Sequence, residues 1–115
     1  MATLSTQVVT RAGVLPTYSA AAGGGDAMSC GSDSMLHIKN AAAATMTVTL
    51  AIPAGASGWP QAAYTSTAVV VPNASERMIG PIQAPLYQDP TTGLCTITYS
   101  TSTSVTVASI NLQEP

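Results

Sequence analysis

Between Leu36 and Ile52 the apolar side chains fall on even positions: Leu36, Ile38, Met46, Val48, Leu50 and Ile52. His37, Lys39, Thr45, Thr47 and Thr49 alternate with them. A period of two puts neighbouring side chains on opposite faces of a β-strand, one buried and one wet. Thr and Val, stiff at χ1, suit a pleated surface better than a helix. The pattern predicts two strands separated by Asn40 and the Ala41–Ala44 run. Asn starts a turn by bonding to its own backbone. The second strand is therefore expected beside the first, as the central pair of a β-sandwich.

The rest of the chain reads the same way. Thr6 to Arg11 is a short strand, and Pro16 ends what precedes it. From Ser19 to Ser34 the chain is Ala, Gly, Ser and Asp around Gly23-Gly24-Gly25, which predicts an extended arm or loop. Thr65 to Val71 is a strand, and Ala68-Val69-Val70-Val71 points to burial on both faces. After a turn at Pro72-Asn73, Arg77 to Ile82 reads as a shorter strand interrupted by Gly80-Pro81, at an edge or a bulge, because Pro81 cannot donate to a ladder. Ala84 to Tyr87 forms one loose turn and Asp89-Pro90-Thr91-Thr92-Gly93 a tight one. Cys95, Ile97 and Tyr99 then alternate with Thr96, Thr98 and Ser100 as the first strand of a closing hairpin. In its return strand Val105 and Val107 share one parity, Ile110 and Leu112 the other, which predicts a β-bulge near Ala108-Ser109. No useful length has a helical period. The expected fold is all-β: one small sandwich, jelly-roll or immunoglobulin-like, over 26–115, after an extended Gly/Ala-rich arm over 1–25.

Composition changes the picture in one respect. A chain of 115 residues, 46% hydrophobic, makes one domain that buries roughly 65% of its unfolded surface. Only 7% of the residues are charged, against about 25% in a usual soluble domain. The acids are Asp26, Asp33, Glu76, Asp89 and Glu114; the bases are Arg11, Lys39 and Arg77. Three scattered cations make no basic patch, so nucleic acid is excluded as a partner. A free monomer usually carries more surface charge, and interface cores carry less. This points to a protein that lives inside an assembly. No 18-residue apolar run offers a membrane span. The N-terminus has neither the cationic start nor the apolar core of a secretory signal. Cys30 and Cys95 are accordingly expected as thiols, Cys95 as a small core residue. The Asn73-Ala74-Ser75 sequon carries no weight without secretion.

Candidate chemistry is sparse. The Gly-rich stretch lacks the Lys-Ser/Thr of a phosphate loop, and Asp26 would repel phosphate. His37 is the sole histidine and is expected to face outward, as a solvent or interface residue. Asp33 and several serines let a Ser-His-Asp set be drawn on paper, with no nucleophile elbow to support it. One His and two distant Cys give no metal spacing. The expectation is a non-enzyme without cofactor or metal. Trp59, in the Pro53 to Gln61 loop, is expected to pack over a rim or into a neighbour.

Leu36-His37-Ile38-Lys39-Asn40, Thr47-Val48-Thr49, Val71-Pro72 and Ile79-Gly80-Pro81 occur in that order. Thr96-Ile97-Thr98-Tyr99-Ser100 and Val105-Thr106-Val107-Ala108 follow. This succession, across positions 25–112, resembles small structural proteins encoded among the head genes of tailed phages, particularly those of actinobacteria. Such proteins are similar in role to capsid decoration, or cement, proteins. The resemblance implies a β-sandwich on the outer capsid surface of a virion. It further implies a homotrimer at local three-fold positions, with the major capsid protein as partner. A neutral Thr/Ser-rich face suits such docking, and an arm that orders on a neighbour adds contacts. The candidate interface residues are Val8, Val9, Val14 and Leu15 in the arm and Trp59 and Tyr64 at a loop. A head-completion or tail component fits the same composition. So does a carbohydrate- or host-binding sandwich with Trp59 and Tyr64 as platform. Three-fold symmetry separates decoration from a connector ring.

Overall fold

The computed structural model describes residues 2–52, 67–83, 87–89 and 92–112. They form ten strands: β1 (Ala2–Thr3), β2 (Thr6–Val9), β3 (Ser19–Ala20), β4 (Asp26–Ser29), β5 (Ser34–Asn40), β6 (Met46–Leu50), β7 (Thr67–Val71), β8 (Ser75–Ile79), β9 (Leu94–Tyr99) and β10 (Val105–Leu112). Sheet A has the order β1-β4-β9-β6-β7, and sheet B the order β2-β10-β5-β8, with β3 also on β10. The two sheets pack face to face, so the expected all-β sandwich is what forms.

The pairings resolve the choice of topology. β6 pairs with β7, β5 with β8, β4 with β9 and β3 with β10, all antiparallel. The chain is thus one long antiparallel ribbon, rolled so that successive pairs fall in opposite sheets. Two further antiparallel pairings, β10 with β5 and β9 with β6, close each sheet. This strand order is that of a jelly roll and not of an immunoglobulin domain.

The roll overturns the expected hairpins. β5 and β6 lie in different sheets, as do β9 and β10. The even face of β5 and that of β6 both point into the core, but from opposite sides. Leu36, Ile38, Met46, Val48 and Leu50 are all buried. The connection between β5 and β6 is an arch from sheet to sheet, and Asn40 builds it. Its Oδ1 accepts from the Ala42 N–H at 3.0 Å, the expected Asn turn. Its Nδ2 donates to the carbonyls of Ala44 at 2.9 Å and Val71 at 3.1 Å. One buried amide therefore ties the end of β5 to the far sheet.

The expected bulge is also absent. β10 pairs with β5 in unbroken register from Val105↔Asn40 to Asn111↔Ser34. The change of parity reflects burial on both faces. Val105 and Val107 face the core, while Ala108 and Ile110 lie on the outer face and are buried as well. β7, by contrast, buries Val71 and leaves Val70 more than half exposed, so only one of its faces is covered. β8 is an edge of sheet B, as expected of the strand before Gly80-Pro81.

The segment over 2–25 is extended and lies along both sheets. β1 runs parallel to β4, β2 parallel to β10, and β3 forms the first strand of the roll. The stretch from Ser19 to Ser34, expected to lack regular structure, includes β4, whose Asp26, Ala27 and Met28 are buried. What holds β4 is its partners and not its own propensity. Tyr99 Oη donates to Asp26 Oδ2 at 2.7 Å, and the Ala22 N–H donates to the same oxygen at 3.2 Å. Gly25 takes φ of +96°, and its Cα lies against the Ile97 carbonyl. Burial first, then the Asp26 carboxylate, pushes the Tyr99 phenol above its usual pKa.

Candidate functional site

The outer face of sheet B gathers the groups with recognisable chemistry. Along β5 the residues between core positions are Met35, His37 and Lys39. β8 places Met78 opposite His37 and Glu76 opposite Lys39, and β10 places Ala108 opposite His37 and Ile110 opposite Met35. The strand period thus makes a polar end around His37 and an apolar end around Met35.

At the polar end, His37 Nε2 lies 3.1 Å from Glu76 Oε1 and Nδ1 lies 2.7 Å from Tyr18 Oη. An ionised carboxylate only accepts, so the neutral imidazole carries its hydrogen on Nε2 and donates to Glu76. Nδ1 then accepts from the Tyr18 hydroxyl. The Tyr18 and His37 rings meet edge to face, 5.4 Å between centroids, and Lys39 Nζ sits 4.1 Å from the Tyr18 ring centre. Such a cation–π contact is worth roughly 0.5–1 kcal/mol where solvent reaches it. Gln7 holds the neighbouring backbone: its amide donates to the Thr17 carbonyl and accepts from the Thr17 N–H, both at 2.6 Å.

His37 was expected at the solvent face, and it does lie on the outer face. It is nevertheless buried, only 8% exposed, because Tyr18 comes across the sheet to cover it. Both ring nitrogens are engaged, so the arrangement fastens residues 17–18 to the sheet. Tyr18 and Glu76 were missed because no sequence spacing links them to His37; only strand pairing does.

The apolar end is an open cleft of about 320 Å³. Met35, Met78, Ile79, Pro81 and Leu112 line it, with Ser32, Asp33 and Ser34 at one side. Met78 is 62% and Leu112 49% exposed. Met side chains are unbranched and polarizable, and adapt to a partner surface better than branched ones. The available signal for this cleft was Met35, on the wet parity of a strand whose other parity is core.

Of the predicted interface residues, Val8, Val14 and Leu15 are exposed, Leu15 almost completely. Val9 is half-buried opposite Leu112 on β10. Val14 and Leu15 stand in the connection from β2 to β3. Trp59 and Tyr64 lie outside the described residues. Among the described residues no three His, Cys, Asp or Glu side chains gather as a metal site, and no helix is long and apolar enough to cross a membrane. No family model, curated protein or solved structure matches the chain.

Proposed function

We propose that this protein is a virion structural subunit of the capsid decoration type, which binds the outside of a phage capsid and stabilises it. The observation that carries the reading is the pairing of very low charge with exposed large apolar side chains. Three basic and five acidic residues serve the whole chain, while Val8, Val14, Leu15, Met78 and Leu112 stand out from its surface. A soluble surface of this kind gains by being covered. The jelly roll adds a fold-level analogy, since viral capsid and lectin domains both use it.

The mechanism is preorganisation. A sandwich that is already folded loses little conformational freedom on docking, and few charges need to be stripped of water. The Met35, Met78 and Leu112 cleft supplies an adaptable apolar contact, and Ser32 beside it supplies a neutral hydrogen-bonding group. The partner is the major capsid protein, and the protein acts as a homotrimer. A sugar-binding reading is favoured less, because the cleft is lined by methionines and not by aromatic rings flanked with polar groups. The test is co-sedimentation with empty shells of candidate coat proteins. Binding that raises the temperature at which the shells rupture supports decoration; indifference to every shell contradicts it.

A further inference from the structure

Cys30 and Cys95 are the only cysteines of the chain, and the fold brings them together. β4 and β9 pair with Met28 opposite Cys95 and Ser29 opposite Leu94. Cys30, two residues beyond Met28, continues that strand on the face that packs against the core. It is thereby the diagonal neighbour of Cys95 across the β4–β9 ladder, on the same face, while the Cys95 thiol itself donates weakly to the Thr96 carbonyl at 3.8 Å. Both backbones are held on either side. The Gly31 N–H donates to Ile82 at 2.8 Å and the Gly31 carbonyl accepts from Ser34 at 3.1 Å. Cys95 sits inside the ladder and also bridges to Gln88. Diagonal neighbours on paired strands lie about 7–8 Å apart at Cα, so the end of β4 has to draw in only slightly for the two sulfurs to reach bonding geometry.

We infer that Cys30 and Cys95 form a dithiol–disulfide site that a small-molecule disulfide, of the class of oxidised glutathione, converts into a staple between β4 and β9. The two cysteines differ in the way such a site requires. Cys30 is partly exposed and Cys95 is buried. The neighbouring Cys95 lowers the Cys30 pKa, and the neighbouring Cys30, then burial, raise that of Cys95. Cys30 is therefore the attacking thiolate. Its sulfur bonds to one sulfur of the oxidant, whose S–S bond breaks and releases one small-molecule thiolate. The Cys95 sulfur then attacks Cys30 Sγ and expels the second. The protons given up by the two cysteines end on the two released thiols, and the oxidant is reduced as the protein pair is oxidised. The staple closes the long loop from position 30 to position 95, the case in which a cross-link restricts the unfolded chain most.

The test uses the full chain, purified reduced and then incubated with oxidised glutathione. The expected product is a single chain, not linked to another, that is lighter by two hydrogens and has no thiol titratable in denaturant. Digestion should yield one peptide linking Cys30 to Cys95. Its thermal midpoint should lie more than about 5 °C above that of the reduced protein, a gain that dithiothreitol removes. A product that keeps one glutathione on Cys30 would overturn the inference, as would two intact thiols or cysteines linked between chains. The Cys30→Ser variant provides the second arm. It should keep the fold and leave the Cys95 thiol unreacted at the same oxidant concentration, and rapid glutathionylation of Cys95 in it would contradict the assigned order.

Discussion

Tyr18 donates its hydroxyl to His37 Nδ1 at 2.7 Å, across the outer face of sheet B. Through this contact a residue from the segment ahead of the roll buries the only histidine of the chain. Tyr18→Phe keeps the ring and removes the donor, leaving Nδ1 without it. The expected cost is about 1 kcal/mol of folding stability. Amide exchange at residues 17–20 should quicken while that of β5 stays slow. Equal protection in the variant would show that the hydroxyl does not fasten the segment.

Asn40 joins the two sheets, and its loss should be felt more. Replacing it with Ala leaves the Val71 carbonyl without its amide donor in a buried setting and removes the Asn turn. The expected loss is about 2–3 kcal/mol, read from urea denaturation. A change below about 0.5 kcal/mol would mean that the arch holds without its side chain.

The two faces of β5 and β6 were legible in the sequence, but their partners were not. Leu36, Ile38, Met46, Val48 and Leu50 took the core positions that their parity predicts. Asn40 opens a turn in a hairpin and in a sheet-to-sheet arch alike, so turn chemistry alone cannot tell which strand comes next in space. β10 failed in another way. Ile110 breaks the parity of Val105 and Val107 because its outer face is covered too, and a doubly buried strand mimics a bulge in one dimension. β4 was invisible for want of any pattern: Asp26, beside three glycines, is held by the Tyr99 hydroxyl, distant in sequence, together with the Ala22 N–H. The cleft of Met35, Met78 and Leu112 depends on three strands meeting, which no local spacing encodes.

Gly25 and Gly13 offer a paired test of backbone strain. Both have positive φ, +96° and +90°. A Cβ at Gly25 would lie 2.6 Å from the Ile97 carbonyl oxygen, whereas one at Gly13 would meet nothing within 4 Å. Gly13→Ala should cost about 1 kcal/mol through conformation alone. Gly25→Ala should cost more than about 2 kcal/mol, because β4 must also shift away from β9. Equal melting temperatures for the two variants would contradict the close approach of these strands.

Tyr99 should make stability fall at high pH. The folded state holds the phenolic proton more tightly than the unfolded chain, whose tyrosines titrate near about pH 10. This contribution is complete below that pH and is lost as pH rises through it towards the folded value. The urea midpoint should stay level from about pH 7 to 9 and drop above about pH 10. Tyr99→Phe should lower the midpoint at neutral pH and flatten part of that drop. An unaltered alkaline slope in the variant would assign the loss to other groups.

The outer face of sheet B can be altered without disturbing the fold. Met78→Lys together with Leu112→Lys replaces two exposed apolar side chains by cations near Asp33 and Glu76. The melting temperature should move little, since such surface changes usually stay within about ±0.5 kcal/mol each. Occupancy on capsid shells should fall at least tenfold. Full occupancy by a folded variant would place the docking surface elsewhere on the molecule.

The most direct test of the central claim is the mass of the purified protein in solution by sedimentation equilibrium, alone and with empty coat-protein shells. The account predicts an assembly three times the mass of the 11.5 kDa chain that leaves the free pool when a cognate shell is added. A monomer that stays free in the presence of every shell tested would contradict it.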